Sequence, residues 1–101
     1  MSNNDRLTLR HQLKAGKLII APGVYDLISA LSADRLGFDA IYMTGYGVVA
    51  SYLGLPDAGL ASYSDMKNRV ETIVGRTKTP LIADADTGFG GLLNVDLAVR
   101  G

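Results

Sequence analysis

Three short apolar stretches, each followed by a helical pattern, are the feature of this sequence that most restricts its fold. They are Leu18–Ala21 (LIIA), Ala40–Thr44 (AIYMT) and Leu81–Asp84 (LIAD). Almost purely apolar strands are typical of parallel sheets, in which helices cover both faces. The alternation of strands with helices is characteristic of α/β proteins. We therefore predict an α/β fold with a parallel sheet and three strand–helix units.

The helical segments come with recognisable start signals. Asp26 is placed to cap a helix over residues 27–36, and Ser62 with Asp65 resembles a capping box. Further helical segments are expected at Leu7–Ala15, at Val48–Leu53 as one or two turns, and from Asn94 onward.

Composition excludes several classes of function. The 101 residues are 48% hydrophobic, and ten Lys and Arg balance ten Asp and Glu, which argues against broad attraction to nucleic acid or an anionic membrane. No cysteine is present, so this segment contains no disulfide, thiolate metal site or thiol nucleophile. The N-terminus lacks the apolar core of a secretory signal, and no apolar stretch approaches the ~20 residues of a membrane span. We expect a cytoplasmic protein.

The run Pro80–Gly91 (PLIADADTGFGG) carries the clearest chemical signal. Asp84 and Asp86 follow an apolar strand and precede a glycine-rich loop. Alternate residues of a strand point to the same face, so the two carboxylates are expected to project together. Hard oxygen ligands favour Mg²⁺ or Mn²⁺, which makes a metal-dependent active site the leading hypothesis. The alternative is that the aspartates only cap the following turn.

A second polar segment, Thr44-Gly45-Tyr46-Gly47, ends the second strand. A hydroxyl followed by an unobstructed backbone N–H suits a carboxylate or phosphoryl oxygen of a substrate. Tyr42 points the same way as Thr44 by strand alternation and is a further candidate. The alternatives are a tight turn after the strand and a tyrosine that belongs to the core.

Two other residues have side chains that can act in catalysis. Asp57 follows Pro56 in the long loop after the second strand and is either a third carboxylate near the metal or a turn-forming aspartate. His11, the only histidine, is expected to be a solvated surface residue. The glycine-rich segments match neither the dinucleotide-binding pattern nor the Walker pattern.

The segments APGVYD, GFDAIYMTGYGVVASYLGLPD and PLIADADTGFGG resemble the N-terminal third of the isocitrate lyase/phosphoenolpyruvate mutase superfamily. The similarity is greatest to the 2-methylisocitrate lyase-like branch, which also contains sequences labelled carboxyvinyl-carboxyphosphonate phosphorylmutase. It extends from about Leu18 to the end of the chain.

This resemblance implies a (β/α)₈ barrel that assembles as a homotetramer. It implies that Asp84 binds Mg²⁺, that Asp86 often does so through water, and that Asp57 helps to organise the metal site. The superfamily's Ser-Gly-Gly substrate segment corresponds to Thr44-Gly45-Tyr46. Tyr46 replaces a glycine there and would narrow the pocket, which leaves the identity of the substrate open.

The implied function is a Mg²⁺-dependent carbon–carbon lyase that cleaves a 2-methylisocitrate-like or substituted malate-like acid through an enolate. Phosphoenolpyruvate mutase-like and oxaloacetate decarboxylase-like enzymes are alternatives on the same scaffold. The catalytic cysteine loop of the lyases would lie beyond residue 101. Because the chain stops within a helix-like pattern, we expect residues 1–101 to be a truncated barrel domain of about three βα units. A further alternative is that they form an inactive fragment of such an enzyme.

Overall fold

The computed structural model describes the backbone of residues 3–101 and the side chains from Leu7 onward. Its elements, in chain order, are α1 (Asn3–Lys14), β1 (Gly23–Val24), α2 (Leu27–Arg35), β2 (Ile41–Met43), α3 (Gly45–Val48), a π-helical turn (Val49–Leu53), α4 (Tyr63–Val74), β3 (Leu81–Ala83) and α5 (Leu92–Arg100). This order confirms the predicted α/β class.

The three strands form one parallel sheet in the order β1-β2-β3. Met43 of β2 lies opposite both Val24 of β1 and Ala83 of β3. The strands therefore end at the same edge of the sheet, and Thr44 and Asp84 follow their strands at neighbouring positions. The carboxyl edge of a parallel sheet is where active sites form in barrels and doubly wound folds.

The first strand is where the structure differs most from the prediction. β1 comprises only Gly23–Val24, and Leu18–Ala21 lies before it without strand structure. The Tyr42 N–H donates to the carbonyl of Pro22 at 2.9 Å, so β2 begins opposite Pro22. The apolar run therefore precedes the part of the sheet that offers it a partner, and the prediction of a strand there was wrong.

Both predicted capping signals are confirmed. The Ser29 N–H donates to Oδ1 of Asp26 at 2.8 Å at the start of α2. At the start of α4, the Asp65 N–H donates to Oγ of Ser62 at 3.1 Å, and the Ser62 N–H donates to Oδ2 of Asp65 at 2.9 Å. Such caps satisfy N–H groups that have no partner inside the helix.

Two helix boundaries differ from the sequence-based expectations. α1 begins at Asn3 rather than Leu7, and α5 begins at Leu92 rather than Asn94. Gly91 is the N-cap of α5 and makes no side-chain capping bond, which explains why no capping signal marked that start in the sequence.

The chain between β2 and α4 forms α3 and the π-helical turn, where one or two helical turns were predicted. A π-helical turn is wider than an α-helical turn and accommodates an extra residue. It ends at Gly54, whose φ of 65° is the left-handed conformation that glycine adopts easily. The guanidinium carbon of Arg69 lies 4.5 Å from the centroid of the Tyr52 ring, which joins this turn to α4.

The hydrophobic core is centred on β2 and on helices α2 and α4. Ile41, Met43 and Ile73 are its largest fully buried side chains. Burying a side chain of this size stabilises the fold by ~1.5–3 kcal/mol. The remaining members of this core are Val24, Ala30, Ala33, Val48, Val49, Ala61 and Met66.

Asp34, near the end of α2, connects this helix to the segment that leads into β3. Its Oδ1 accepts hydrogen bonds from the N–H groups of Lys78 (3.0 Å) and Thr79 (2.9 Å) and from the Thr79 hydroxyl (2.7 Å). Burial raises the pKa of this carboxyl, but the bonds from Thr79 and Lys78 and the charge of Lys78 outweigh burial and lower the pKa below its usual value. The contact fixes where β3 enters the sheet.

β3 and α5 expose much of their apolar surface. Ile82 and Ala83 are exposed, α5 buries none of its residues, and Leu92 is 90% exposed. Within residues 7–101, helices therefore do not cover both faces of β3. In the described part of the chain, no helix combines the length and apolar character that a membrane span requires.

Candidate functional site

Asp84 directly follows β3 and lies at the centre of the candidate site. Its N–H donates to the carbonyl of Met43 at 3.2 Å, which holds its backbone against β2. Its Oδ1 accepts the N–H of Asp86 at 2.9 Å. Because each carboxylate oxygen has two lone pairs, Asp84 keeps acceptor capacity for a further donor or a cation.

Gly45, the first residue of α3, leaves the space that the Asp84 side chain occupies. A Cβ atom on Gly45 would stand 2.5 Å from Oδ2 of Asp84 and 3.0 Å from its Cγ. A Cβ atom essentially never stands 2.5 Å from another heavy atom, so a larger residue would displace the carboxylate. Gly45 and Asp84, two of the predicted site residues, are therefore in direct contact.

Tyr42, on β2, is the third residue of this cluster. Its hydroxyl lies near the carboxylate of Asp84. Burial raises the pKa of Tyr42, and the charge of Asp84, its capacity to accept a hydrogen bond and the charge of Asp86 raise the pKa further. Tyr42 is therefore a neutral donor at physiological pH. The bond from the Asp86 amide to Oδ1 of Asp84 keeps the two aspartates at the same part of the sheet edge.

Asp86 reaches this cluster by a different geometry from the one predicted. β3 ends at Ala83, and Asp86 has a φ of 45°, so it belongs to a turn and not to the strand. The premise that strand alternation places Asp84 and Asp86 on one face was therefore wrong. The turn forms because the Asp84 carboxylate accepts the Asp86 amide, a local bond that aspartate commonly makes. The side chain of Asp86 is exposed.

Thr44 caps the short helix α3. Its Oγ1 accepts the N–H of Gly47 at 3.1 Å, and the hydroxyl proton remains available for donation. The amides of Gly45 and Tyr46 lie in the first turn, where N–H groups have no partner within the helix. A Cβ on Gly47 would stand 2.6 Å from Cγ2 of Thr44, so this glycine allows the turn to close. The segment after β2 therefore forms a tight turn and also keeps a Thr44 hydroxyl proton that can bind a ligand.

The remaining predicted site residues lie at the surface. The side chain of Tyr46 is 65% exposed, and Asp57 is exposed in the loop after the π-helical turn. Among the residues that the structure describes, no three His, Cys, Asp or Glu side chains are grouped closely enough to hold a metal ion. Asp57 therefore does not join Asp84 and Asp86 in a three-carboxylate cluster. His11 is exposed on α1, as expected.

An open groove of about 890 Å³ lies beside this cluster. Asp86 and Thr87 line it together with Ser62 and Tyr63 at the start of α4 and Phe89 in the loop before α5. Its volume is that of a small-molecule site. Since Asp84 does not line it, the groove opens at the Asp86 end of the cluster.

The donor set of this cluster fits Mg²⁺. In proteins, Mg²⁺ is usually held by one or two carboxylates and completes its shell with water and substrate oxygens. Asp84 and Asp86 supply two carboxylates joined through the bond between the Asp86 amide and the Asp84 side chain. The exposed side chain of Asp86 leaves room for water. Asp84 and Asp86 are therefore the residues that can hold such an ion.

Sequence reasoning missed the contact between Gly45 and Asp84 and the packing of Phe89 on Tyr63. The first could have been found by aligning the ends of the second and third strands, because polar residues follow both. The second had no signal, since the rings of Phe89 and Tyr63, whose centroids lie 5.9 Å apart, come from distant segments of the chain.

Comparison with known proteins identifies relatives over nearly the whole chain. A family profile described as phosphoenolpyruvate phosphomutase matches residues 9–101. The 2,3-dimethylmalate lyase of Eubacterium barkeri is 48% identical over 97 residues, which are 96% of this chain and 34% of that protein. The 2-methylisocitrate lyase of Aeropyrum pernix is 40% identical over 94 residues, which are 93% of this chain and 30% of that protein.

Solved structures of related proteins resemble the structure of this chain. A phosphonopyruvate hydrolase, solved in complex with oxalate and Mg²⁺, matches with a TM-score of 0.87 and 36% identity over 94% of this chain and 33% of that one. Structural neighbours of this kind are TIM-barrel enzymes, which confirms the predicted fold family. The chain spans about a third of the length of the curated relatives that it matches.

Proposed function

We propose, from the premise that this chain belongs to the isocitrate lyase/phosphoenolpyruvate mutase superfamily, that it carries part of the active site of a Mg²⁺-dependent carbon–carbon lyase. The substrate is a 2-methylisocitrate-like or substituted malate-like acid, and its cleavage leaves an enolate. The whole enzyme includes segments that complete the barrel and the site.

One observation carries this proposal: the carboxylate of Asp84 is held at the carboxyl edge of the sheet from several directions. The Asp86 amide donates to Oδ1, the Tyr42 hydroxyl lies near the carboxylate, and Gly45 leaves space for Oδ2. A side chain fixed in this way is preorganised, so little reorganisation is needed when it binds a ligand.

The residues of the site divide into two groups by their chemistry. Asp84 and Asp86 would hold the metal, and Thr44 and Gly45 would bind a carboxylate of the substrate through the hydroxyl proton and the helix amide. A bound Mg²⁺ would supply positive charge that stabilises the oxygen on which negative charge develops during cleavage. Tyr42 would keep its proton and hold Asp84 in place.

The substrate class is supported by the relatives. One curated relative is named for a lyase of 2,3-dimethylmalate and another for a lyase of 2-methylisocitrate. Both acids carry carboxylates of the kind that a hydroxyl and helix amides can bind. Tyr46, which is 65% exposed, is the residue of this segment with the most freedom to select among such acids.

A second candidate is phosphonate chemistry on the same site. It is favoured by the family profile described as phosphoenolpyruvate phosphomutase and by the similarity to phosphonopyruvate hydrolase. Assays of the whole enzyme with 2-methylisocitrate, 2,3-dimethylmalate, oxaloacetate and phosphonopyruvate separate the two candidates. Cleavage of phosphonopyruvate without cleavage of either branched acid would replace the lyase by this second function.

The metal assignment is tested by binding of Mn²⁺ to the whole protein, followed by electron paramagnetic resonance. Asp84→Asn keeps the shape of the side chain and removes its charge, so we expect Mn²⁺ affinity to fall by about 10- to 100-fold. Asp96→Asn is the matched control, because Asp96 is an exposed aspartate on α5 whose partner is Arg100. Equal Mn²⁺ affinity of Asp84→Asn and wild type would refute the metal site.

Three further properties stay predictions. They are assembly as a homotetramer, a cytoplasmic location, and a role for Asp57 in organising the site. Light scattering of the whole protein tests the first of them. For the third, Asp57→Asn should lower turnover more than Mn²⁺ affinity, because Asp57 lies outside the cluster of Asp84 and Asp86.

A further inference from the structure

Phe89 has a backbone conformation that aromatic residues rarely adopt. Its φ is 67°, in the left-handed region, and it lies between Gly88 (φ 93°) and Gly90 (φ 153°). Asp86, at φ 45°, begins this series. For a residue with a side chain, the left-handed conformation costs about 1–2 kcal/mol, so other contacts must hold the loop in place.

The side chain of Phe89 supplies such contacts. It is half-buried and packs against the hydrophobic core. Its ring centroid lies 5.9 Å from that of Tyr63, with the ring planes at 58°, a favourable tilted arrangement. Tyr63 is the first residue of α4 and follows the Ser62 cap, so the partner ring stands on a fixed helix end.

The loop that contains Phe89 is also the loop that completes the Asp84 cluster. The Gly88 N–H donates to the carbonyl of Ala85 at 2.9 Å, which closes the turn around Asp86. This closed turn places the Asp86 amide where it donates to Oδ1 of Asp84. The Phe89 ring has no group that can hydrogen-bond to a carboxylate, so we argue its influence on Asp84 and Asp86 through the loop.

We propose that Phe89 is a positioning residue: its ring, seated on Tyr63, holds the loop in the conformation that places Asp86 beside Asp84. This inference rests on the proposed function, because it assigns Phe89 a role toward the metal site of that function. A residue that only stabilised the fold would act equally on all parts of the protein. Phe89 instead acts on the loop between β3 and α5.

The test compares Phe89→Tyr, Phe89→Ala and Phe89→Gly in the whole protein, by Mn²⁺ binding and by hydrogen exchange of the amides in residues 85–90. Phe89→Tyr keeps the ring and should match wild type. Phe89→Ala and Phe89→Gly lack the ring, and both should exchange faster in this loop and bind Mn²⁺ about tenfold more weakly. Glycine adopts the left-handed conformation without strain. The glycine variant therefore tests the loss of the ring without backbone strain at this position.

Two results would overturn the inference. One is Mn²⁺ affinity of Phe89→Gly equal to that of wild type, which would mean that only backbone freedom matters at this position. The other is faster exchange spread evenly over the protein, which would indicate a general loss of stability. If the Phe89 variants do not fold, Tyr63→Ala against Tyr63→Phe makes the same comparison from the other ring.

The same experiments distinguish this inference from the proposed function. A wild-type protein that binds no Mn²⁺ refutes the proposed function. The hydrogen-exchange comparison then still decides whether the Phe89 ring fixes the loop.

Discussion

Gly45 and Asp84 stand so close at the ends of neighbouring strands that a methyl group on Gly45 would lie 2.5 Å from Oδ2 of Asp84. Gly45 is in helical conformation, which any residue can adopt, so the position requires a glycine for space alone. The identity of one residue thus determines where the carboxylate of the other can stand.

Gly45→Ala is expected to move the Asp84 carboxylate and to lower Mn²⁺ affinity by about tenfold, while unfolding free energy falls by ~1–3 kcal/mol. Titration with Mn²⁺ and denaturant unfolding of the same preparations measure the two effects. Gly91→Ala is the matched control, since nothing lies within 4 Å of a Cβ there. Equal Mn²⁺ affinity in the two variants would show that Asp84 does not depend on this space.

Tyr42→Phe is expected to change how stability depends on alkaline pH in the metal-free protein. The pKa of Tyr42 is raised above its ordinary value of 10.0 by burial and by Asp84. Its contribution to stability is therefore fully present below about pH 10 and is lost as pH rises through the raised pKa. Unfolding by denaturant between about pH 8 and pH 12 should show a steeper alkaline loss for wild type than for the variant. Parallel curves would contradict the raised pKa of Tyr42.

Asp34→Asn is expected to lower the unfolding free energy by ~1–1.5 kcal/mol at neutral pH, because bonds to a charged acceptor become bonds to a neutral one. The pKa of Asp34 is lowered, so its contribution is present above the ordinary value of 3.8 and is lost as pH falls through the lowered pKa. The difference between wild type and variant should shrink in acid. Asp96→Asn, in an exposed pair with Arg100, should change stability by less than about 1 kcal/mol.

Tyr52→Leu is expected to destabilise the protein by ~1–2 kcal/mol, whereas Tyr52→Phe should stay close to wild type. The reason is that Arg69 lies over the Tyr52 ring, while its Nε is buried without a hydrogen-bond partner among the described residues. The ring face therefore provides a favourable environment for the charge. Thermal unfolding of both variants is the measurement, and equal losses would show that the hydroxyl, not the ring, matters.

The fold was predictable where the signal is local. The Asp26 and Ser62 caps depend on bonds between residues three apart in sequence, and the order of strands and helices follows from short-range patterns. The prediction of a strand at Leu18–Ala21 was wrong because a strand needs a hydrogen-bonded partner, and β2 does not extend that far. Apolar composition alone does not report the register of a sheet.

That three of the candidate residues lie together at the sheet edge was predictable, but the geometry of their contacts was not. Asp84, Gly45 and Tyr42 were identified from their positions at strand ends and do meet there. The turn at Asp86 was missed because its left-handed φ depends on a bond to a side chain two residues away. The role of Phe89 depends on Tyr63, and no pattern in a single sequence pairs two such distant rings.

The π-helical turn at Val49–Leu53 gives the connection between β2 and the Asp57 loop room for one residue more than an α-helical turn would hold. Deleting one residue there would restore ordinary α-helical winding and leave the direction of the chain beyond it nearly unchanged. In a comparison of related sequences, single-residue gaps at this point should therefore occur without loss of the Tyr52–Arg69 pair.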